Sequence, residues 1–382
     1  MNILKCAGVL MRRKKTLTLE PGIFAKVMGH LDELNIKIIK EIKIIGPRNL
    51  SAIARNINAP KRTVHSRYVR LRKDKLLTVR AVPEYHLLGL INVVVLSTSP
   101  LRSMNKAKEV LAKHDYLHEI MECYGAINGL YAWFTIPIDR IKYFEKFIAT
   151  ISERGIIEDY RIYYTSNFKY YLPNFRYFSV RKRNWRFNLE RFVSRIREEK
   201  IVEEEFEEPE YFRIQADYLD IAIIWALEVD ATTRLAKIAK REGVSRSLIK
   251  YHYDEHVDET LVKEYMVDFP RFMPGTSNRL LFVYNFRRFD DLATFAGVLR
   301  ETPYVVSMAK ELRRNVLFAV LDVPVDDLGK LLKFTASDLS ESFGIEKFMV
   351  MFLPPESYTW KPLPKDNFDP NRGWIYREYL PL

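Results

Sequence analysis

Cysteine is scarce in this chain of 382 residues, which contains only Cys6 and Cys123. Two thiols are too few for a disulfide framework or a four-thiolate zinc site, so neither a secreted disulfide-rich fold nor a zinc finger is supported. Long apolar runs are also missing, because none approaches the ~18 residues of a membrane span. The N-terminal apolar stretch precedes basic residues, the reverse of a secretory signal. A cytoplasmic protein without a membrane segment is predicted.

Glutamine occurs once, at Gln215, while lysine, arginine, glutamate and isoleucine are abundant. Labile amides are depleted in heat-adapted proteins, so the composition predicts a thermophilic source, and we expect an archaeal one. The 61 lysines and arginines exceed the 49 acidic residues by 12, a balance that favours a polyanionic partner such as nucleic acid. The hydrophobic content of 48% predicts a folded chain, and the length favours two or three domains.

An internal repeat is visible at a spacing of roughly 185 to 190 residues. The segment Ile136–Asp139 recurs as Val323–Asp326, between an apolar strand-like run and an amphipathic helical pattern. The pair Ser152–Glu153 recurs as Ser340–Glu341, each time before a Gly-Ile pair and a strand-like run, and Leu50–Ala54 is echoed around Leu235–Ala239. Three correspondences in one order predict two tandem copies of one unit.

Each copy is predicted to begin with three helices and a short ribbon, a winged helix-turn-helix. In the first copy the helices end at Gly46, cover Leu50–Ile57 and run from Pro60 to about Asp74, and the ribbon covers Leu76–Val82. The remainder alternates as βαββαβ, the order of a ferredoxin-like plait. The predicted fold class is therefore α+β, with two tandem copies of a winged helix-turn-helix followed by a ferredoxin-like domain.

These patterns divide the chain into seven segments. They are an N-terminal basic arm (1–30), winged helix-turn-helix 1 (31–83), ferredoxin-like domain 1 (84–166), a basic and aromatic then acidic linker (167–215), winged helix-turn-helix 2 (216–272), ferredoxin-like domain 2 (273–355) and a C-terminal tail (356–382).

The third helix of the first copy has the character of a DNA recognition helix. Val64, Tyr68 and Leu71 form its predicted core face, and the opposite face is basic and polar. A buried face fixes the helix angle while exposed arginines reach guanine edges or phosphates in the major groove. The predicted DNA-binding residues are Lys61, Arg62, Thr63, His65, Ser66, Arg67, Arg70 and Lys73.

The corresponding helix of the second copy has the opposite charge balance. The segment from Ser245 to Thr260 contains two basic residues, Arg246 and Lys250, and four acidic residues, Asp254, Glu255, Asp258 and Glu259. Phosphate attraction depends on positive charge near the backbone, so this copy is predicted to bind DNA weakly if at all. His252 and His256 suggest a metal site together with Glu255, but no third strong ligand lies beside them in sequence, so no metal is predicted.

This order of elements resembles the leucine-responsive regulator (Lrp/AsnC) family of bacterial and archaeal transcription factors, here in tandem form. The resemblance covers about Leu31–Thr165 and Tyr218–Leu353. It implies transcription regulation by binding double-stranded DNA, dimerisation through the plaits as a homodimer, and sometimes a small-molecule amino-acid effector. The family often carries a Gly-x-Tyr-Asp-like turn between plait strands; here Tyr124–Tyr131 contains no Asp, which argues against an amino-acid pocket of the family type.

The main alternative is an enzyme, because siroheme decarboxylases resemble the same fold and occur as paired or fused copies. Their resemblance implies a close group of His, Arg, Trp, Tyr and Asn near the plait strands. No such group is visible in sequence, where only His114 and His118 lie in a plait, and no phosphate loop or nucleophile elbow is found. We therefore predict no enzyme, no catalytic residue and no cofactor. A third hypothesis is an adaptor that contacts the transcription machinery through the second copy.

Overall fold

The computed structural model describes residues 21–73, 77–196, 202–258, 260–273 and 275–378. Most of the predicted basic arm, residues 1–20, therefore lies outside the described residues. The first half of the chain contains helices and strands in the order α1 (Pro21–His30), α2 (Glu33–Ile45), α3 (Leu50–Asn56), α4 (Lys61–Lys73), β1 (Thr78–Pro83), β2 (Leu90–Thr98), α5 (Met104–Lys113), β3 (Leu117–Gly125), β4 (Gly129–Pro137), α6 (Ile141–Glu153) and β5 (Tyr160–Thr165).

The connector and the second half continue this series. They contain β6 (Lys169–Tyr170), β7 (Phe178–Ser179), β8 (Asn184–Trp185), α7 (Leu189–Ile196), α8 (Tyr218–Val229), α9 (Leu235–Glu242), α10 (Arg246–His252), β9 (Val262–Asp268), β10 (Ser277–Phe286), α11 (Phe289–Arg300), β11 (Val305–Lys310), β12 (Val316–Pro324), α12 (Val325–Phe334), α13 (Ser340–Ser342), β13 (Ile345–Phe352), β14 (Thr359–Trp360), β15 (Phe368–Asp369) and β16 (Gly373–Trp374). The chain thus contains both helices and strands, and most of the strands lie in one large antiparallel sheet, so the predicted α+β class is confirmed.

The helices of the first copy begin at polar caps that the sequence supplies. Asp32 accepts a hydrogen bond from the backbone N–H of Asn35 at 2.8 Å at the start of α2, and Asn49 accepts one at the start of α3. Such caps satisfy donors that a helix start leaves unpaired. In α4 the predicted core residues Val64, Tyr68 and Leu71 are all buried, so the amphipathic pattern predicted this face correctly.

The predicted ribbon Leu76–Val82 does not close on itself as a hairpin within its own copy. Its strand β1 instead pairs antiparallel with β9 of the second copy, from Thr78 opposite Asp268 to Pro83 opposite Val262. We call this two-stranded element the wing sheet. Each wing strand also packs against the first long helix of the other copy, α8 against β1 and α2 against β9. A lone strand has unpaired backbone groups, and here the equivalent strand of the other copy satisfies them.

The two βαββαβ units form one large antiparallel sheet. Strands of the first unit lie in the order β5-β2-β4-β3 and those of the second in the order β13-β10-β12-β11, joined where β3 pairs with β13. On the other side Leu312 donates its N–H to the carbonyl oxygen of Tyr164 at 2.8 Å. The two plaits therefore pack against each other within this one chain.

The C-terminal tail adds a further strand beside the first unit. Strand β14 pairs with β3, which places Thr359 opposite Ile120 and Trp360 opposite Glu119. Trp374 then donates its indole N–H to the carbonyl oxygen of Leu88 at 2.6 Å. The tail is thus held over the sheet and the wing sheet. Among the helices that the structure describes, none is long and apolar enough to cross a membrane.

Candidate functional site

A pocket lies where the wing sheet meets the large sheet, and the C-terminal tail forms part of its wall. We call it the wing pocket. Its lining comes from both wing strands, from β3, β4 and β10, from α8 and from β14. The cavity volume is about 90 Å³, smaller than the ~300–1,000 Å³ typical of small-molecule sites. As it stands it admits a small group or one edge of a larger ligand.

His118, on β3, is the imidazole of this pocket. Its Nε2 accepts a hydrogen bond from the indole N–H of Trp360 at 3.1 Å, and its Nδ1 has no hydrogen-bond partner among the described residues. Because an indole only donates, the neutral ring carries its proton on Nδ1. Burial, together with the positive charge of Arg80, lowers the pKa of His118 to about 3. His118 is thus a neutral group with an unused donor, and a ligand acceptor would satisfy it.

Arg80, on wing strand β1, brings a positive charge to the same pocket. Its guanidinium carbon lies 4.0 Å from the centre of the Trp360 ring, a cation-π contact, and its buried Nε has no hydrogen-bond partner within the described part of the chain. Two further arginines line the pocket, and both donate hydrogen bonds to other groups. Arg279 donates two to Asp322, at 2.9 and 3.0 Å, and Arg271 donates to backbone carbonyl oxygens. Of the three arginines that line the pocket in the described part of the chain, Arg80 is therefore the one with an unused buried donor.

Glu228, near the end of α8, is a buried carboxyl group at the pocket wall. One oxygen accepts a hydrogen bond from the Tyr85 hydroxyl at 3.0 Å and the other from the N–H of Leu363 at 2.7 Å. Burial raises the pKa of Glu228 to about 8, although these two bonds and Arg80 each lower it. The carboxyl therefore keeps its proton near neutral pH, which makes it a candidate proton donor.

Aromatic rings form the apolar walls of the wing pocket. The Trp133 ring lies 4.1 Å from that of His118 and 4.6 Å from that of Phe168, and Tyr85 meets Trp133 edge to face at 6.1 Å. The indole N–H of Trp133 donates to the side chain of Asn92 at 3.0 Å. These bonds and ring contacts hold the wall in one orientation.

The structure therefore brings together the residue types whose absence in sequence argued against an enzyme. His118, Arg80, Trp133, Tyr85 and Asn92 are grouped around the plait strands β2, β3 and β4. This group was not visible in the sequence. Its members are separated along the chain, and pairing of β1 with β9 brings Arg80 over the sheet. No local spacing could have revealed this group.

The predicted DNA-binding residues lie on α4, outside the wing pocket. Their exposure follows the predicted faces. Thr63 and Arg67 are half-buried, and the exposed members are Lys61, Arg62, His65, Ser66, Arg70 and Lys73. Arg67 forms an ion pair with Asp32, at the cap of α2, so it is occupied inside its own unit. The exposed residues form a basic helix face, as the sequence predicted, but none of them contributes to the pocket.

The histidine pair of the second copy has a third partner that sequence spacing did not reveal. Asp220, in the first turn of α8, lies between His252 and His256, with its Oδ1 at 2.9 and 3.2 Å from their Nδ1 atoms. Glu255, the acidic residue suggested from the sequence, does not belong to this group of possible metal ligands. The statement that no third strong ligand is available is thereby corrected.

Comparison with known proteins gives a likeness of fold. No protein-family model matches the sequence. No curated protein matches it significantly. Among solved structures, the siroheme decarboxylase NirDL matches with a TM-score of 0.50 and 15% identity, over 84% of this chain and 91% of that chain. A structure of NirDL in complex with an iron-uroporphyrin III analogue matches equally well.

Regulators of the AsnC type match a smaller part of the chain. An AsnC family transcriptional regulator from Agrobacterium tumefaciens covers 35% of this chain and 89% of its own, with a TM-score of 0.30 and 14% identity. The E. coli AsnC structure also covers 35% of this chain and 91% of its own, with a TM-score of 0.27 and 15% identity. With TM-scores of 0.30 and 0.27, these two likenesses are too distant to support a shared fold or a function.

The prediction that this chain is not an enzyme is corrected by these findings. The fold that matches 84% of the chain is that of an enzyme. The prediction also rested on the fact that no group of His, Arg, Trp, Tyr and Asn is visible in the sequence, whereas four such residues, Arg80, Tyr85, His118 and Trp133, line the wing pocket, and Asn92 accepts the indole hydrogen bond of Trp133. The same fold therefore carries enzymatic activity in one protein, and this chain has a pocket with acid-base groups.

Proposed function

We propose that this chain is an enzyme that binds a carboxylated tetrapyrrole of the siroheme type in the wing pocket and removes carboxyl groups from it. The observation that carries the proposal is the meeting of two unused buried donors, His118 Nδ1 and Arg80 Nε, beside the protonated Glu228. Unpaired buried donors are rare in proteins, because each costs about 1–3 kcal/mol unless something satisfies it. The NirDL fold supports the same class of reaction by analogy.

Recognition in this proposal divides between charge and shape. Arg80 and the N–H of His118 donate to a carboxylate of the ligand, and charge-assisted hydrogen bonds of this kind are about twice as strong as neutral ones. Trp133 and Phe168 offer their ring surfaces to the apolar macrocycle. Because the arginine is always charged, carboxylate binding does not require a change of protonation on the protein.

Chemistry in this proposal follows from Glu228. The bond between the substrate carbon and its carboxylate breaks, carbon dioxide leaves, and the electron pair stays on the carbon. That carbon then takes a proton, which Glu228 supplies. Glu228 is left as a carboxylate and regains its proton from solvent. The positive charge of Arg80 already lowers the pKa of Glu228, so it also stabilises this carboxylate.

The small size of the cavity requires its wall to open when a tetrapyrrole binds. A tetrapyrrole is much larger than the enclosed 90 Å³, so the tail residues at the wall, Tyr358 and Trp360, move aside when the macrocycle enters. The Trp360 contacts that change are its hydrogen bond to His118 and its cation-π contact with Arg80. Opening therefore exposes the two groups that bind the carboxylate.

Absorption spectroscopy and mass spectrometry test the proposal together. The purified chain is titrated with siroheme or iron uroporphyrin, and we expect a saturable shift of the porphyrin band and, with siroheme, products that have lost carbon dioxide. Arg80→Met keeps the apolar stem but removes the charge, so binding weakens about tenfold or more. Glu228→Gln keeps one acceptor oxygen for the N–H of Leu363, and its amide NH2 group can donate to the hydroxyl oxygen of Tyr85. Binding should therefore persist while the rate of carbon dioxide loss falls.

Arg62→Ala is the matched control, because Arg62 is an exposed arginine on α4, outside the pocket. It should leave both binding and product formation unchanged. Absence of a saturable shift with the wild-type chain, or equal binding by the Arg80→Met and wild-type proteins, contradicts the proposal.

The exposed basic face of α4 favours a second candidate function, binding of double-stranded DNA. It rests on the tandem organisation predicted from the sequence, with α2, α3 and α4 as the first winged helix-turn-helix and α8, α9 and α10 as the second. Arg62 and Arg70 are exposed on the face opposite Val64 and Tyr68, where they can reach the duplex. The counterpart in the second copy is less suited, because Lys250 already pairs with Asp254. Homodimerisation and contact with the transcription machinery belong to this second hypothesis.

A further inference from the structure

A second cluster of chemically active side chains lies in the second copy, at the other end of α8 from Glu228. Asp220 is in the first turn of α8, His252 is the last residue of α10, and His256 follows in a π-helical turn, Tyr253–Val257. The Nδ1 atom of His256 lies 3.2 and 3.3 Å from the two oxygens of Asp220. Asp220 is 1% exposed, whereas the His256 side chain is 38% exposed, so solvent reaches the cluster from one side.

These atoms are close enough together for one metal ion to contact all of them after a small outward shift of the side chains. Zinc binds imidazole nitrogen at about 2.0–2.1 Å and carboxylate oxygen at about 2.0–2.2 Å, so neighbouring ligand atoms in a tetrahedron lie about 3.3–3.5 Å apart. The distances from Asp220 to the two Nδ1 atoms are 2.9 to 3.3 Å. All three candidate ligand atoms lie within 4.8 Å of one another.

A fourth ligand is available beside these three. The Oδ2 atom of Asp217 lies 3.6 Å from Nδ1 of His252, and the side chain is 56% exposed. The other oxygen of Asp217 accepts backbone hydrogen bonds at the start of α8, which fixes the carboxylate in place. Either Oδ2 of Asp217 or a water molecule is the fourth ligand.

We propose that Asp220, His252 and His256 bind one divalent transition-metal ion of the zinc class, with Asp217 or water as the fourth ligand. Imidazole nitrogen selects such ions over calcium and magnesium, which take oxygen ligands. The acidic residues Asp254, Glu255 and Asp258, which disfavour DNA at this helix, favour a cation there. The ion ties α10 and the π-helical turn to α8, the helix that also carries Glu228.

Calorimetry with zinc chloride alone tests the site on the untagged full-length chain, after treatment with a chelator and its removal. We expect one zinc ion per chain, a higher melting temperature with zinc, and a cobalt complex with the visible absorption of a tetrahedral ion. His256→Asn, at a half-exposed position, should weaken zinc binding at least tenfold and abolish the zinc-dependent rise in melting temperature. His252→Gln should act in the same way.

His65→Asn is the matched control, because His65 is an exposed histidine on α4, away from this cluster. It should bind zinc like the wild-type chain. The proposal is overturned if the wild-type chain binds no zinc at this stoichiometry, or if His256→Asn binds it as tightly as wild type. It is also overturned if His256→Asn lowers the melting temperature equally with and without zinc, because the cluster is then only hydrogen-bonded. These readouts involve no tetrapyrrole, so they are independent of the proposed enzymatic function.

Discussion

The hydroxyl group of Tyr85 donates a hydrogen bond of 3.0 Å to the carboxyl group of Glu228, although 143 positions separate the two residues in the chain. Both side chains are buried, at 2% and 1% exposure. This hydrogen bond connects a short turn after wing strand β1 with α8, the first long helix of the second copy. The Glu228 carboxyl group therefore lies where the two copies are in contact. The burial that accompanies this contact is what raises the pKa of Glu228 to about 8.

The raised pKa of Glu228 predicts a loss of stability as pH rises. The unfolded chain releases this proton near pH 4.5, the ordinary value, whereas the folded chain holds it until about pH 8. From pH 4.5 to pH 8 the free energy of unfolding therefore falls progressively, by about 3–5 kcal/mol in total at pH 8 and above. Below pH 4.5 this group does not contribute to the pH dependence of stability. Glu228→Gln should therefore lose less stability than wild type from pH 5 to 8, as measured by guanidinium unfolding at several pH values.

Glu84→Gln serves as the control for this measurement. Burial raises the pKa of Glu84 to about 7, so its contribution to the pH dependence should end about one pH unit earlier. Identical pH profiles for wild type and Glu228→Gln would show that Glu228 titrates normally in the folded chain.

Trp360 is predicted to hold the tail over the wing pocket by both its bulk and its N–H group. Trp360→Phe keeps most of the ring but leaves His118 Nε2 unpaired, which should lower the free energy of unfolding by about 1–3 kcal/mol. Trp360→Ala also removes a side chain only 6% exposed and should lower it by about 3–5 kcal/mol. Denaturant unfolding of both variants measures the two effects, and equal losses would refute a separate role for the indole N–H.

Gly46 is predicted to be essential for the packing of α2 against the wing sheet. Its φ of 73° is in the left-handed region, and a Cβ atom there would lie 2.5 Å from the ring of Tyr265 on β9. Gly46→Ala should therefore lose more stability than backbone strain alone, in total about 2–4 kcal/mol. Gly155→Ala is the control, because Gly155 has a φ of 65° and nothing within 4 Å of the added atom.

Gly155→Ala should report only the backbone term, about 1–2 kcal/mol. If thermal or chemical unfolding gives the same loss for both substitutions, the close approach of Tyr265 does not constrain position 46.

The charge asymmetry between the two copies makes a prediction for the second candidate function. Replacing Arg62 and Arg70 with Ala should leave the core of α4 intact, and each lost base contact should weaken DNA binding roughly tenfold or more, since it is worth ~1–3 kcal/mol. Replacing Arg246 and Lys250 with Ala should matter far less, because Lys250 already pairs with Asp254. Fluorescence anisotropy on one duplex at several salt concentrations measures both.

Two outcomes of that experiment count against the DNA hypothesis. Binding that does not weaken as salt rises would show that phosphate contacts are absent. Equal losses from the two double substitutions would show that both helices contact DNA and that charge does not distinguish them.

Local patterns predicted most of the secondary structure. The apolar run Leu90–Thr98 predicts a strand, and β2 has those bounds; the core face of α4 is also the predicted one. The run Ile156–Tyr164 predicts the last strand of the first plait, but β5 begins at Tyr160. Gly155, at a positive φ, and a following turn end α6, and Ile156 is buried outside the sheet. Periodicity indicates which residues of a segment are buried, but it does not distinguish a buried residue in a turn from a buried residue in a strand.

The sequence by itself determined the α+β class, the helix faces and the charge difference between α4 and α10, because these depend on residues close together in the chain. Only the tertiary structure decided where Arg80, His118, Glu228 and Trp360 meet. Their meeting requires β1 to pair with β9 and β14 to pair with β3. Strand pairs between distant segments depend on which edges are left unpaired after folding, and burial at that junction shifts the pKa values of His118 and Glu228 from their ordinary range.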